Sequence, residues 1–394
     1  MKLKVFAAVF AVLFLLLSGC VTEPEPAPEP GPGPESEAGA LADESGATFE
    51  GIKETVSRNN NFAFEMYRGL NKEGENLFIS PWSISSAFAI AFEGARGETA
   101  EEMAEVLHLS DNETVRRSSF AGIYNILNEE NKEFELETAN ALWAEQSYKF
   151  LDSYVGLSDD FYKANTKNMD FVNAAEASRQ EINAWVEGKT NNLIKDLIPQ
   201  GVITDLTRLV ITNAVYFKGQ WLFEFDKEKT EERPFIVSDR EMVQAPMMQL
   251  KDDSAIFRYT ETDSIQVLEM PYKGDRLSML VLLPQKHDLS DLSEELDSKM
   301  IGDLADAMAP QEVIVMMPKF KFETKYLMAE NLKEMGMKKA FESGVADFSG
   351  MDGTKALSIS QVIHQTFVEV GELGTEAAAA TGIVIGVNSM PPMD

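Results

Sequence analysis

The chain has 394 residues, 44% of them hydrophobic and 25% charged, proportions that support a large core and exclude global disorder. Its net charge is -30 and its pI about 4.5; the acidic residues are scattered along the chain, so it lacks the basic footprint that nucleic acid requires and carries instead a surface suited to solubility. No repeat or linker interrupts the sequence past residue 50, and one large domain is expected rather than two or three.

The chain opens with "MKLKVFAAVFAVLFLLLSGC": two lysines, an apolar run from Val5 to Leu17, then Ser18, Gly19 and Cys20. A charged start, an apolar centre and small residues at a cleavage point read as an export signal over residues 1–20. The run is short for a membrane span. Its "LSGC" ending is similar to the lipobox of prokaryotic lipoproteins, in which the cysteine is lipidated and becomes the mature N-terminus. Cys20 is the only cysteine, so no disulfide forms within the chain. The expectation is an exported protein, extracellular or held at a membrane by a lipid anchor on Cys20. An acyl chain contributes about 0.8 kcal/mol per buried CH₂, so firm attachment takes more than one. Residues 21–48 are rich in Pro, Glu and Gly, bury little and favour extended polyproline II; they read as a linker or stalk.

From residue 49 helical and strand patterns mix without regular βαβ alternation. "NNNFAFEMYRGL" sets Phe62, Met66 and Leu70 on one helical stripe. "NLFIS" predicts a short buried strand, after which Pro81 opens a helix. Thr99 and Glu102 have capping-box spacing for the next helix. "FELETANALWAE" and "RLVITNAVYFKGQW" are β-branched or aromatic and predict strands, with Ile182, Trp185 and Val186 at helical spacing between them. Several strands follow, with turns at Lys273-Gly274-Asp275 and Pro284; "EVIVMMPKFKFET" reads as strand and "MAENLKEMGMKKAF" as helix. The fold class is α+β with large, mostly antiparallel sheets.

Chemistry-bearing motifs are sparse. The three histidines, His108, His287 and His364, sit in no metal-ligand spacing, and neither a G-x-S-x-G elbow nor a Walker loop occurs. "DFSGMDG" lacks the ligand spacing and closing glutamate of a calcium loop. No metal, no cofactor and no enzymatic activity are expected.

Four stretches across the folded part resemble the serpins, the large-loop protease inhibitors: "NLFISPWSISSAFAIAFEGARGETAEEM", "LVITNAVYFKGQW" running on to "FDKEKTEERPFIVSDREMVQAPMM", "ISQVIHQTFVEVGELGTEAAAATG", and the closing "NSMPP". The resemblance implies three mostly antiparallel sheets, about nine helices, and an exposed reactive-centre loop. The target protease cuts this loop, which then enters the main sheet as a new strand. It places the hinge at Glu372, Gly374, Thr375, Glu376, Ala377, Ala378, Ala379 and Ala380. The shutter beneath the sheet falls on Ser80, Ser83, Asn213 and His364, and the breach where the loop enters on Trp221. Hinge-to-cleavage spacing puts the scissile bond at Asn388–Ser389. Asn388 in the specificity pocket implies an asparagine-preferring cysteine peptidase or a broad serine protease; a one-residue slip would present Val387 to an elastase-like pocket, or Ser389.

As a strand, Thr375, Ala377, Ala379 and Thr381 share one face, continued by Ile383 and Ile385. Local propensity alone makes "TEAAAA" a helix, but one so short is marginal. A dozen new ladder bonds at about 1 kcal/mol each supply on the order of ten kcal/mol, comparable with a whole domain's stability. The uncut form is therefore expected to be a kinetic trap. The implied function is suicide-substrate inhibition of an extracellular serine or cysteine endopeptidase; the alternatives are a non-inhibitory surface binding or structural protein, or an inactive truncated serpin. The family continues past the Pro-Pro, so residues 49–394 are expected to form a serpin domain lacking its last sheet strands.

Overall fold

A computed structural model describes residues 9–11, 41–72, 74–131, 133–238, 241–252, 254–285 and 290–387. Cys20, His287, Asn388, Ser389 and most of the expected signal and stalk lie outside the described residues.

After β1 (Val9–Ala11) the chain forms four helices: α1 (Phe49–Leu70), α2 (Pro81–Gly94), α3 (Gly97–Val106) and α4 (Glu113–Leu127). The predicted stripe of α1 is buried at Phe62, Met66 and Leu70. Ser80 caps α2 by accepting from Ser83 N–H at 3.3 Å, with Pro81 in the first turn. The capping-box expectation fails. Helix α3 begins at Gly97, and Thr99 instead accepts from Asp347 N–H (2.9 Å) while Glu102 accepts from Lys338 and Lys339 N–H (2.8 and 2.7 Å). Both side chains tie α3 to a distant segment rather than to their own backbone. "NLFIS" is no strand either, because the Phe78 carbonyl takes the hydroxyls of Thr324 and Thr366 in place of a ladder partner.

Then come β2 (Phe134–Glu145), α5 (Asp152–Tyr162), β3 (Ala164–Met169), α6 (Phe171–Lys189) and β4 (Thr207–Gln220). Next are β5 (Glu231–Ser238), β6 (Glu241–Leu250), β7 (Ile256–Glu261), β8 (Ile265–Pro271) and β9 (Ser278–Pro284). After α7 (Ser290–Glu295), α8 (Ser298–Ala307), β10 (Ala309–Glu312), β11 (Val315–Pro318), β12 (Phe320–Leu327), α9 (Ala329–Met335) and α10 (Ser349–Asp352), two long strands finish the described chain: β13 (Leu357–Val370) and β14 (Gly374–Val387). Nine of these helices exceed four residues, as expected.

Three sheets result, ordered β1-β9-β8-β7-β10, β11-β6-β5 and β12-β13-β14-β4-β2-β3. Among the described residues only the β2–β3 pairing is parallel, so the α+β, mostly antiparallel reading holds. The predicted strand "FELETANALWAE" is β2 from end to end. The expected lack of last strands is not borne out in the main sheet, where β12 and β13 are both in place.

One expectation is overturned outright. Residues 374–387 are not an exposed loop: β14 runs antiparallel between β13 and β4, with thirteen Cα pairings on each side. The cause is the ladder itself, which satisfies backbone groups that an exposed loop leaves to water.

Candidate functional site

The site is the inserted strand and its surroundings. On one face of β14, Ala377, Ile383 and Ile385 join the main core with α2. On the other, Ala378, Ala380 and Val384 pack with Ile182, Trp185 and Val186 of α6. The alternation expected for Thr375, Ala377, Ala379, Thr381, Ile383 and Ile385 is thus realised. Residues Ala377 to Ala379 also border an apolar cavity of about 170 Å³, lined further by Val56, Ala63, Phe64 and Leu282.

The turn from β13 to β14 is anchored at Trp221, the residue expected at the breach. Trp221 is buried, donates from Nε1 to the Gly371 carbonyl (2.9 Å), and stacks on Tyr272 with ring centroids 4.5 Å apart. The Tyr272 hydroxyl donates to Thr375 Oγ1 at 2.8 Å, and burial raises this phenol well above its ordinary range. Glu372 is buried beside Lys319 Nζ (2.9 Å) and Thr230 Oγ1 (2.9 Å). Burial opposes its charge, but these hydrogen bonds and the lysine hold its pKa below the usual carboxylate value. Gly374 follows, where the backbone comes so close that a Cβ would lie 2.0 Å from the Gly219 carbonyl oxygen.

Of the four residues expected at the shutter, the structure links Ser80, Ser83 and His364 through Thr381, which the sequence offered only as part of a strand face, and leaves Asn213 beside them in the same cross-strand row. His364 Nε2 accepts from Ser80 N–H (3.0 Å), so the ring proton sits on Nδ1 and donates to Thr381 Oγ1 (2.8 Å). Thr381 in turn lies 3.0 Å from Ser83 Oγ. Asn213 donates to Asn140 Oδ1 (2.9 Å), while its own Oδ1 is buried without a hydrogen-bond partner. Desolvation lowers the His364 pKa from 6.5 to about 3, so the imidazole is neutral at physiological pH.

Tyr272, Lys319 and Thr230 carried no sequence signal, since each is defined by a partner over fifty residues away. Thr381 did carry one, as the hydroxyl that closes an alanine run. His108 lies beyond the C-terminus of α3, 3.0 Å from Glu65, far from this site in role. Among the described residues no group of three or more His, Cys, Asp or Glu is placed to hold a metal ion.

Fold and site together define an α+β protein whose main sheet takes residues 374–387 as a central strand. A comparison with protein-family models matches residues 57–394 to Serpin (serine protease inhibitor). A serpin-like protein of Methanosarcina acetivorans is 40% identical over 387 residues, covering 96% of this chain and 88% of the relative. Human leukocyte elastase inhibitor is 37% identical, covering 86% and 92%. The crystal structure of reactive loop cleaved human thyroxine-binding globulin superposes with a TM-score of 0.79 at 30% identity, covering 85% and 99%. The chain belongs to the serpin family. Serpins in general bind and inhibit proteases and are not catalysts.

Proposed function

We propose that this serpin inhibits an extracellular endopeptidase as a suicide substrate, cut at Asn388–Ser389 and then closed into the main sheet. The observation that carries this reading is β14, fourteen residues of which twelve are paired on both sides, with small or β-branched side chains at its buried positions. The bond proposed for cleavage begins one residue past Val387, so the whole inserted strand lies upstream of it.

Withdrawal of β14 is also chemically provided for. Strands β13 and β4 both run antiparallel to β14, hence parallel to each other, and can close as neighbours. His364, Thr381 and Asn213 occupy one row across the three strands. With Thr381 gone, His364 Nδ1–H turns to Asn213 Oδ1, the acceptor that is unpartnered in the inserted form. The buried polar groups thus exchange partners and none is stranded.

The target is a serine or cysteine endopeptidase that accepts Asn388. A cut one residue earlier would present Val387 to an elastase-like pocket, the protease class for which the human relative is named. Export through residues 1–20, lipidation at Cys20 and a stalk over residues 21–48 would hold the inhibitor at a membrane surface, and signal removal would take β1 from the edge of its sheet.

The test is incubation of the chain with a panel of serine and cysteine endopeptidases, followed by a denaturing gel and a melting curve. A denaturant-resistant complex with one protease, and a melting point raised after loop cleavage, are expected. Cleavage with neither result refutes inhibition and leaves the non-inhibitory binding or structural role.

A further inference from the structure

Glu376 is the one charged residue of β14, and insertion must carry its carboxylate onto the α6 face of the main sheet. The place it reaches is crowded with charge. At that height the sheet presents Lys321, Glu369, Glu376, Lys218 and Glu135 on five adjacent strands. Glu369, the like-charged neighbour, is engaged by Lys321 Nζ at 2.8 Å.

On the other side three donors converge on Glu376. The Tyr216 hydroxyl of β4 donates at 2.7 Å, Asn191 Nδ2 approaches to 3.5 Å, and Lys218 Nζ stands at 4.0 Å. Asn191 also donates to the Tyr216 oxygen at 3.3 Å. Tyr216 is buried among the residues packed under α6, while Asn191 lies just past the end of α6 in a left-handed conformation, φ 49°. The phenol is held well above its ordinary pKa by burial and by the adjacent carboxylate, which keeps it a donor at any physiological pH.

We propose that Tyr216, with Asn191 and Lys218, is a built receptor for the hinge carboxylate, and that these are positioning residues that set the register of the inserted strand. This rests on the reading of β14 as an inserting strand. The need for such a device follows from the alanine run. A slip by one residue exchanges the two faces of β14 and is rejected by packing. A slip by two residues keeps the faces and still leaves alanine at two of the four positions of Ala377–Ala380, so small side chains alone discriminate weakly there. The same slip moves the Glu376 carboxylate by about 7 Å, at roughly 3.4 Å per residue, out of reach of every donor. Thr375 and Thr381 make register-specific bonds on the opposite face; Glu376 supplies the one on the α6 face.

Hydrogen exchange of the chain after protease cleavage beyond Val387 tests this with Tyr216→Phe, Glu376→Ala and the double variant. Each single change should speed exchange of the amides of residues 375–380 about tenfold, as expected for loss of a hydrogen bond to a charged group. The double variant should exchange no faster than Glu376→Ala, and the amides of β2 should keep their protection. An unaltered Tyr216→Phe, a multiplicative double variant, or loss of protection in β2 as well would overturn the proposal, the last by making Tyr216 a general core residue. Wild-type β14 amides that still exchange as fast as unstructured peptide after that cleavage would instead overturn the insertion reading on which it rests.

Discussion

Acid should weaken the folded chain through one buried imidazole. His364 is wholly buried, and removal from water takes its pKa from 6.5 to about 3. The Ser80 N–H aimed at Nε2 from 3.0 Å leaves no acceptor for a second ring proton. In the unfolded chain the ring titrates near its ordinary value. Between pH 6.5 and about 3 the unfolded state therefore binds one proton more, and stability rises with pH across that window. The contribution is complete above pH 6.5 and is lost as pH falls, at about 1.4 kcal/mol per unit. Two units below the unfolded pKa, at pH 4.5, about 2.7 kcal/mol has gone. Carboxylates titrate in the same range, so the quantity to follow is the difference in stability between wild type and His364→Gln, in which those shared titrations cancel. Urea unfolding from pH 7.5 to 4.5, at unchanged m, gives that difference. The wild type's advantage should shrink by about 2.7 kcal/mol over the range. An advantage that stays constant would refute the assignment of His364 as a neutral ring locked between Ser80 and Thr381.

Three further substitutions probe the strand. Gly374→Ala would set a Cβ 2.0 Å from the Gly219 carbonyl oxygen, so the first pairing of β14 must shift at a cost of about 1–3 kcal/mol; the inserted form should melt a few degrees lower. Ala380→Glu would put a carboxylate into the fully buried cluster beneath α6, which costs several kcal/mol. The variant should be cut by a protease without a rise in melting temperature and without a covalent complex on a gel. Trp221→Phe removes the Nε1 bond to the Gly371 carbonyl and part of the stack on Tyr272; chemical denaturation should show a loss of about 2 kcal/mol.

Much of the fold was legible because burial imposes periodicity. Strand β2 follows from its β-branched and aromatic content and the α1 stripe from helical spacing, and Pro81 marks the start of α2 as its missing N–H requires. The readings that failed are those in which a side chain serves a distant partner. Thr99 and Glu102 have the spacing of a local cap but bond backbone N–H groups over two hundred residues away, and no local rule registers that competition. The same limit applies to Lys319, Thr230 and Tyr272, ordinary residues until the fold brings Glu372 and Thr375 against them. The state of residues 374–387 was the hardest to read, since their sequence is compatible with a marginal helix, an exposed loop and a central strand. The choice among these depends on whether β13 and β4 are parted.

The polar residues of β14 explain why insertion can release free energy despite burying them. A hydroxyl or carboxylate carried into a sheet without a partner costs about 1–3 kcal/mol or more, and three of them would consume much of what the ladder contributes. Each of the three meets a group already in place: Thr375 the hydroxyl of Tyr272, Glu376 that of Tyr216, and Thr381 the ring of His364 and the hydroxyl of Ser83. The alanines between them bury no polar side-chain atom and lose no rotamer freedom. Ile383, Val384 and Ile385, all fully buried, then add apolar transfer of about 1.5–3 kcal/mol per side chain. The ladder favours insertion along the whole strand, and the apolar transfer beyond Gly382 adds most at its far end. In the proposed mechanism the strand meets its polar partners first and gains the apolar transfer last, which is why a cut beyond Val387 would let it complete its course.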